Sequence, residues 1–429
     1  MASLDFPKLR PLSVQRFEHE GQSFAALIDP LGVFQDPVLV PIEAYRWVVR
    51  HLDGRTSLED LQATILRETG QQPTWNELEF LVDQLDRAMV LDGPTFARFL
   101  ESYQNEPVRP PALAGRSYPG NARELRSELD RYFLHVEGAG APGVVPSQTP
   151  SESLLRGVLS PHIDFQRGGP VYTWAYKAIA ERSDADVFVI LGVAHQYCRN
   201  RFALTRKDFD TPLGLVRTDR DFVDRIAARA GDHLFEDELA HRAEHSIEFQ
   251  AVFLQYLLGG RRSFSIVPIL VGSFHDLLEA QRAPMQAKEI REFVEALKSA
   301  EAESGKKVLY LGGIDLCHVG PEFGDPDLVD REMRERVRSF DQEMMGRAIA
   351  DDPEGWFGTA SKVGNRWRVC GLAATYTMLQ AMGPVHGKVL RYDQAVDPAR
   401  TCCVSFASLA FETNGCIQSP ETLVESPKA

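Results

Sequence analysis

Short apolar runs punctuate the chain from about residue 154 to residue 412: "GVLS" ending at Ser160, "DVFVILG" at Gly192, "SFSIVPILVG" at Gly272, "KVLYLGG" at Gly313 and "CCVSFASLAF" at Phe411. Runs this short and this rich in β-forming residues predict strands. Between them the apolar period lengthens. In "SIEFQAVFLQYLLGG" the residues Ile247, Phe249, Val252, Phe253, Tyr256 and Leu257 fall at near-helical spacing, which predicts a helix. Strand–helix alternation of this kind predicts a layered α/β sheet with helices on both faces. Ligands of such sheets bind in the crevice beyond the carboxyl ends of the strands.

The first hundred residues carry a different pattern. "PIEAYRWVVRHLDG", "TSLEDLQATILRETG" and "WNELEFLVDQLDRAMVLDG" are amphipathic and end at Gly, and the second opens on a Ser/Thr cap with acidic residues in its first turn; these are helix signals. "FAALIDPLGVF" predicts two short strands around the turn at Pro30. "ESYQNEPVRPPALAG" is Pro-rich and polar and reads as a linker. The expected organisation is a small module over 1–104, an α/β domain over 105–412 with a long loop at 136–153, and a flexible tail over 413–429.

Charge and composition narrow the function classes. The formal net charge of −14 over 429 residues, with no Lys/Arg cluster, argues against a nucleic-acid partner. Six cysteines without a CxxC give neither a disulfide framework nor a zinc ribbon. "MASLDFPKLRPL" lacks an apolar leader core, and no apolar run is long enough to span a bilayer. A reduced, cytoplasmic protein without a membrane anchor is the expectation.

The residues that could carry chemistry collect at the ends of the expected strands. "SPHIDF" places His162 after one, "ILGVAHQ" places His195 after another, and "GGIDLCH" places Asp315, Cys317 and His318 after a third; "VCG" places Cys370 at a helix start. Recurrence of ligand-type residues at strand ends is what a sheet-edge site requires. Blander roles fall to the others. Cys317, Cys402 and Cys403 are expected to pack, as thiols commonly do. His241 lies four residues before His245, but the Glu of HExxH is missing, so His241 is expected to be a solvated helix residue. Glu248, one turn from His245, is expected as its ion pair. No GxGxxG follows an expected strand, and no phosphate-binding lysine loop or GxSxG elbow is present.

The series "SPHIDF … ILGVAHQ … AEHSIEFQ … GGIDLCHVG … CG", together with "GRSYPGNARELRSELDRYF" at 115–133, resembles the Memo family over about residues 107–412. Bacterial and archaeal members are often called AmmeMemoRadiSam system protein B, after an association with a radical-SAM protein. The family is similar in fold to class III extradiol ring-cleaving dioxygenases. The resemblance implies metal ligands at His162, His195 and Cys370. It also implies pocket-lining or catalytic roles for Asp315, His318, Glu244 and His245, with Glu248 in the same element. Two imidazoles and a thiolate would suit Fe(II), with Zn or Cu(I) as other metals. The chain departs from the family where "HAGY" becomes "HIDF" and "CGRHP" becomes "CGLAA". "LIDPLGVFQDPVLVPIEAYRWVVRHLDGRTSLEDLQATI" resembles PqqD-like modules, small winged-helix-like domains, which implies peptide or partner recruitment by strand addition. Two functions follow: an iron-dependent oxidoreductase acting on an aromatic, phenolic or peptide-borne group, or a non-catalytic metal-binding scaffold.

Overall fold

The computed structural model describes residues 5–34, 36–143 and 153–414. They form two compact units, one over 1–107 with 238–243 and the other over 108–237 with 244–429.

In the first unit, β1 (Ser13–His19), β2 (Gln22–Ile28) and β3 (Val38–Pro41) form an antiparallel sheet in that order. Four helices follow: α1 (Ile42–Trp47), α2 (Leu58–Thr69), α3 (Trp75–Arg87) and α4 (Pro94–Asn105). Ser57 caps α2, Gly70 closes it in the left-handed conformation, and Thr74 and Glu77 form a reciprocal capping box on α3. Leu27, Val40, Leu61, Leu78 and Val82 belong to its core. The hairpin expected around Pro30 forms as the antiparallel pair β2–β3, but with a longer connection than expected. Asp29 takes the Leu31 and Val33 amides and pairs, buried, with Arg10, so a side-chain-nucleated turn occupies the segment. The second strand starts only at Val38. The expected linker is also structured, because Glu101–Asn105 complete α4.

The second unit opens with β4 (Val108–Arg109), α5 (Ala122–Leu134), β5 (Ser153–Ser160), α6 (Phe165–Arg182) and β6 (Val187–Val193). Short strands β7 (Phe202–Leu204), β8 (Asp208–Phe209) and β9 (Arg217–Thr218) precede α7 (Arg220–Ala230) and α8 (His245–Leu258). Then come β10 (Ser265–Val271), α9 (His275–Glu279), α10 (Lys288–Ser304), β11 (Val308–Gly313) and β12 (His318–Val319). The chain continues through α11 (Arg331–Ile349), α12 (Pro353–Ser361), α13 (Leu372–Met382), β13 (His386–Val396) and β14 (Cys403–Asn414). Part of the loop expected at 136–153, residues 144–152, lies outside the described residues, as does the expected tail beyond Asn414.

The large sheet has the order β12-β14-β5-β11-β6-β10-β7, with β13 beside β14 and β9 beside β10. Its centre, β5-β11-β6-β10, is parallel, and β14 and β7 flank it antiparallel. Strand residues alternate faces. A side chain on Gly312 would meet Met378 of α13, and one on Gly313 would meet Ser246 and Gln250 of α8. Those two helices therefore cover opposite faces, and the unit is a mixed α/β/α layer. Among the described residues, no helix is long and apolar enough to cross a membrane.

Candidate metal centre

Ser160, Gly313, Val193 and Val271 end the four parallel strands in adjacent registers, with Gly313 paired to both Ser160 and Gly192. His162, His195 and Asp315 each follow one of these ends by two residues. His245 arrives from elsewhere, as the first residue of α8. Its approach depends on bare backbone. A Cβ on Gly313 would lie 2.3 Å from the Ser246 carbonyl oxygen, and one on Gly192 2.5 Å from Ser246 Oγ. Both distances are below any real contact, so the two glycines are what let the first turn of α8 settle on the strand ends.

The three imidazoles face one another, with ring centroids 4.9 Å (His162–His195), 5.1 Å (His162–His245) and 4.5 Å (His195–His245) apart. Each ring has its Nδ1 engaged. His162 Nδ1 lies 2.9 Å from the Gly313 carbonyl oxygen, and His195 Nδ1 lies 3.0 Å and His245 Nδ1 3.1 Å from Glu244 Oε1. Acceptors at Nδ1 place the proton there and leave Nε2 as a lone-pair donor. One ligand atom from each histidine lies within 4.8 Å of the other two, a grouping able to hold a metal ion.

Glu244 is the shared support. It is 1% exposed, and it also accepts from the backbone amides of His195, His245 and Ser246, capping α8. Burial opposes its charge, but the facing His195 and His245 outweigh that and hold the carboxyl well below its usual range. Burial likewise works against a charge on His195, and the Glu244 carboxylate overrides it and raises that imidazole. His162 is shifted the other way, well down, by burial and by the neighbouring histidines.

Cys370 Sγ lies 3.3 Å from His162 Nε2 and 3.5 Å from the Asp315 carbonyl oxygen. Asp315 is buried, accepts the His162 amide on Oδ1 at 3.0 Å and holds Oδ2 3.7 Å from His162 Nε2. Burial pushes its carboxyl up to about 6 against the His162 and Ile163 amides. His318 stands on the wall of a cavity of about 350 Å³ that His195 and Cys370 also line. Burial lowers its imidazole to about 4. All the candidate site residues thus gather at one sheet edge, with His245 among the ligand-type atoms and Cys370 against His162.

Cys317 points away from this group: it is fully buried and its thiol donates to Asp341 Oδ1 at 3.0 Å. Two expectations are corrected. Glu248 does not pair with His245. It is 0% exposed and accepts from Arg109 Nη1 at 2.6 Å, the Ala112 and Leu113 amides at 2.9 Å, and the Tyr118 hydroxyl. A turn away from the strand ends, it meets the segment after β4 instead. His241 is not solvated; it is buried in a 3-10 turn, Glu238–Arg242, that breaks from α8. Arg109 was not singled out from the sequence, yet it also donates from Nη2 to the Glu244 carbonyl oxygen at 2.9 Å. It therefore ties Glu248 to the residue that orients two of the histidines. A lone Arg in a Pro-rich stretch gives no periodic signal of this.

The open α/β/α layer thus carries, at the carboxyl edge of its parallel strands, a three-histidine cluster able to hold a metal ion. The family model described as Memo-like protein matches residues 109–410. The chain is 27% identical to a MEMO1 family protein of Aquifex aeolicus, covering 94% of this chain and 99% of that one. It is 31% identical to one of Methanopyrus kandleri, covering 71% and 98%, and 30% identical to one of Thermus thermophilus, covering 80% and 94%. The chain belongs to the Memo family.

Proposed function

We propose that this Memo-family chain is a mononuclear non-haem iron protein and an oxidoreductase similar to class III extradiol dioxygenases. The observation that carries the metal reading is that three clustered imidazoles have Nδ1 committed to acceptors, with one ligand atom of each within 4.8 Å of the others. Neutral imidazoles suit iron, zinc or copper rather than magnesium or calcium. Iron(II) in such a setting supplies open coordination positions for oxygen and substrate. Glu244 holds the Nδ1 protons of His195 and His245, and Asp315 and Cys370 flank His162. His318, on the wall of the adjoining cavity, would hold or accept a proton at a substrate there, and Asp315, buried against His162, would act through that imidazole. The test is elemental analysis of anaerobically purified protein. The parent should hold one iron per chain, and His162→Ala, His195→Ala and His245→Ala should each lose it. Cys370→Ala decides whether the thiol is a fourth ligand, and Cys317→Ser should keep the metal. Stoichiometric metal in all three histidine variants would overturn the site.

A second reading, a metal-binding scaffold that recruits a peptide and works with a radical-SAM partner, draws on the separate first unit. There β1 stands at a sheet edge with every residue exposed, a template for strand addition. Retention of a peptide partner by the protein in the absence of any turnover would favour it.

A further inference from the structure

The cavity beside the metal centre has walls of two kinds. Val271, Phe274, Leu278, Phe323 and Leu372 are apolar, and Arg368 brings a guanidinium among them. At about 350 Å³ it sits at the small end of ligand pockets (about 300–1,000 Å³), which fits a small molecule rather than a folded segment. His318 meets Phe323 edge-on, with ring centroids 5.1 Å apart.

Arg368 is held with unusual care. Its φ is +52°, left-handed backbone that a non-glycine residue enters only at a cost. The turn is fixed by its own amide on the Asn365 carbonyl at 2.8 Å and by the Val369 amide on Asn365 Oδ1 at 3.0 Å. Nη1 donates to Asp325 Oδ2 at 3.1 Å and to the His318 carbonyl at 3.2 Å, and Nη2 donates to Asp325 Oδ1 at 2.8 Å. Asp325 thereby occupies the end-on edge of the guanidinium. Among the described residues, the side-on edge, Nε–H with the second Nη2–H, has no partner. Two parallel donors on one edge match a carboxylate. Asp325 already offsets the arginine's charge, so the edge suits a monoanion better than a dianion.

We propose that Arg368 anchors the substrate of this site, taking the carboxylate of a small acid whose flat apolar body lies between Phe274 and Phe323. This deepens the metal-centre reading above, since the cavity is the one onto which His195 and Cys370 open. Asp325 is then a positioning residue that aims the free edge.

The probes are benzoate, benzamide and phenyl phosphate, titrated into metal-analysed full-length protein. Benzoate should bind, benzamide should bind at least tenfold more weakly, and phenyl phosphate should not be preferred. Arg368→Met should weaken benzoate by about 10–100-fold, as expected for losing a charge-assisted pair of hydrogen bonds, with metal content unchanged. Arg368→Lys keeps the charge without the two-donor edge and should still lose about tenfold, which decides the matter if the Met variant fails to fold. Equal benzoate affinity in the parent and the Lys variant, equal binding of benzamide, or preference for phenyl phosphate would overturn the proposal. A metal-loaded parent that ignores benzoate overturns the anchor alone; an Arg368-dependent benzoate site on a chain that takes no metal overturns the metal reading alone.

Discussion

Glu244 illustrates how much one buried carboxylate can set. Its Oε1 serves two imidazoles and the first amides of α8, and its Oε2 takes the His195 amide. Ionised, it makes both Nδ1 atoms donors and leaves both Nε2 atoms with a lone pair to offer. Replacing it by Gln keeps one oxygen for the helix cap but removes the charge and offers an N–H where an acceptor is needed. Outer-sphere losses of this kind typically cost about 10–100-fold in metal affinity. Glu244→Gln should therefore stay folded, with unchanged far-ultraviolet circular dichroism, and weaken metal binding by that factor in a competition titration with a chelator. Parent-like affinity would show that the histidines are oriented by packing alone.

At the scale of elements, α11 is fastened to the strand-end segment through a second buried carboxylate. Asp341 accepts from the Cys317 thiol at 3.0 Å and from the Tyr392 hydroxyl of β13 at 2.8 Å. Burial, acting against the hydrogen bonds from Cys317, Ser405 and Tyr392, raises its carboxyl from 3.8 to about 6. A folded-state value above the unfolded one means that Asp341 favours folding most at low pH. Its contribution is complete below about pH 4 and is lost as pH rises through about 6. The expected swing is on the order of 3 kcal/mol. Asp341→Asn cannot titrate, so the stability difference between variant and parent should move in the variant's favour by that amount from pH 4 to pH 7, read from denaturant midpoints. A constant difference across that range would refute the assignment. Elements of this kind also show where the sequence was legible. The parallel strands could be read because burial on both faces makes them continuous apolar runs. β13, "HGKVLRYDQAV", carries mixed residues on a partly exposed edge strand, and no apolar run marks it. His162 and His195 were legible as residues just past strand ends. The arrival of His245 depends on clearance at Gly192 and Gly313, and that of Arg368 on a turn, both long-range facts that no local pattern encodes.

For the whole molecule, the question is whether the first unit is an independent folding body. Residues 1–107 supply a core of their own, including Leu27, Val40, Val49, Leu61, Leu78, Val82 and Leu85, and a buried Arg10–Asp29 pair at 3.0 Å. Chains of this length bury enough surface to fold alone. The short segment 238–243 groups with them through Leu239, which joins Val33 and Tyr103 in a small cluster, and Arg242, whose Nη1 donates to the Gly32 carbonyl at 2.7 Å. A fragment cut after residue 107 lacks both. It keeps the main core but leaves Val33 and Tyr103 partly uncovered, a loss of about 1.5–3 kcal/mol for one leucine side chain. The isolated fragment should therefore unfold cooperatively on heating, at a lower temperature than the same fragment carrying a tethered 238–243 peptide. Dispersed amide signals with a single transition would establish the unit as a domain. A fragment that stays unfolded even with the peptide attached would mean that these residues fold only as part of the complete chain, and the peptide-recruiting role would then lose its independent module.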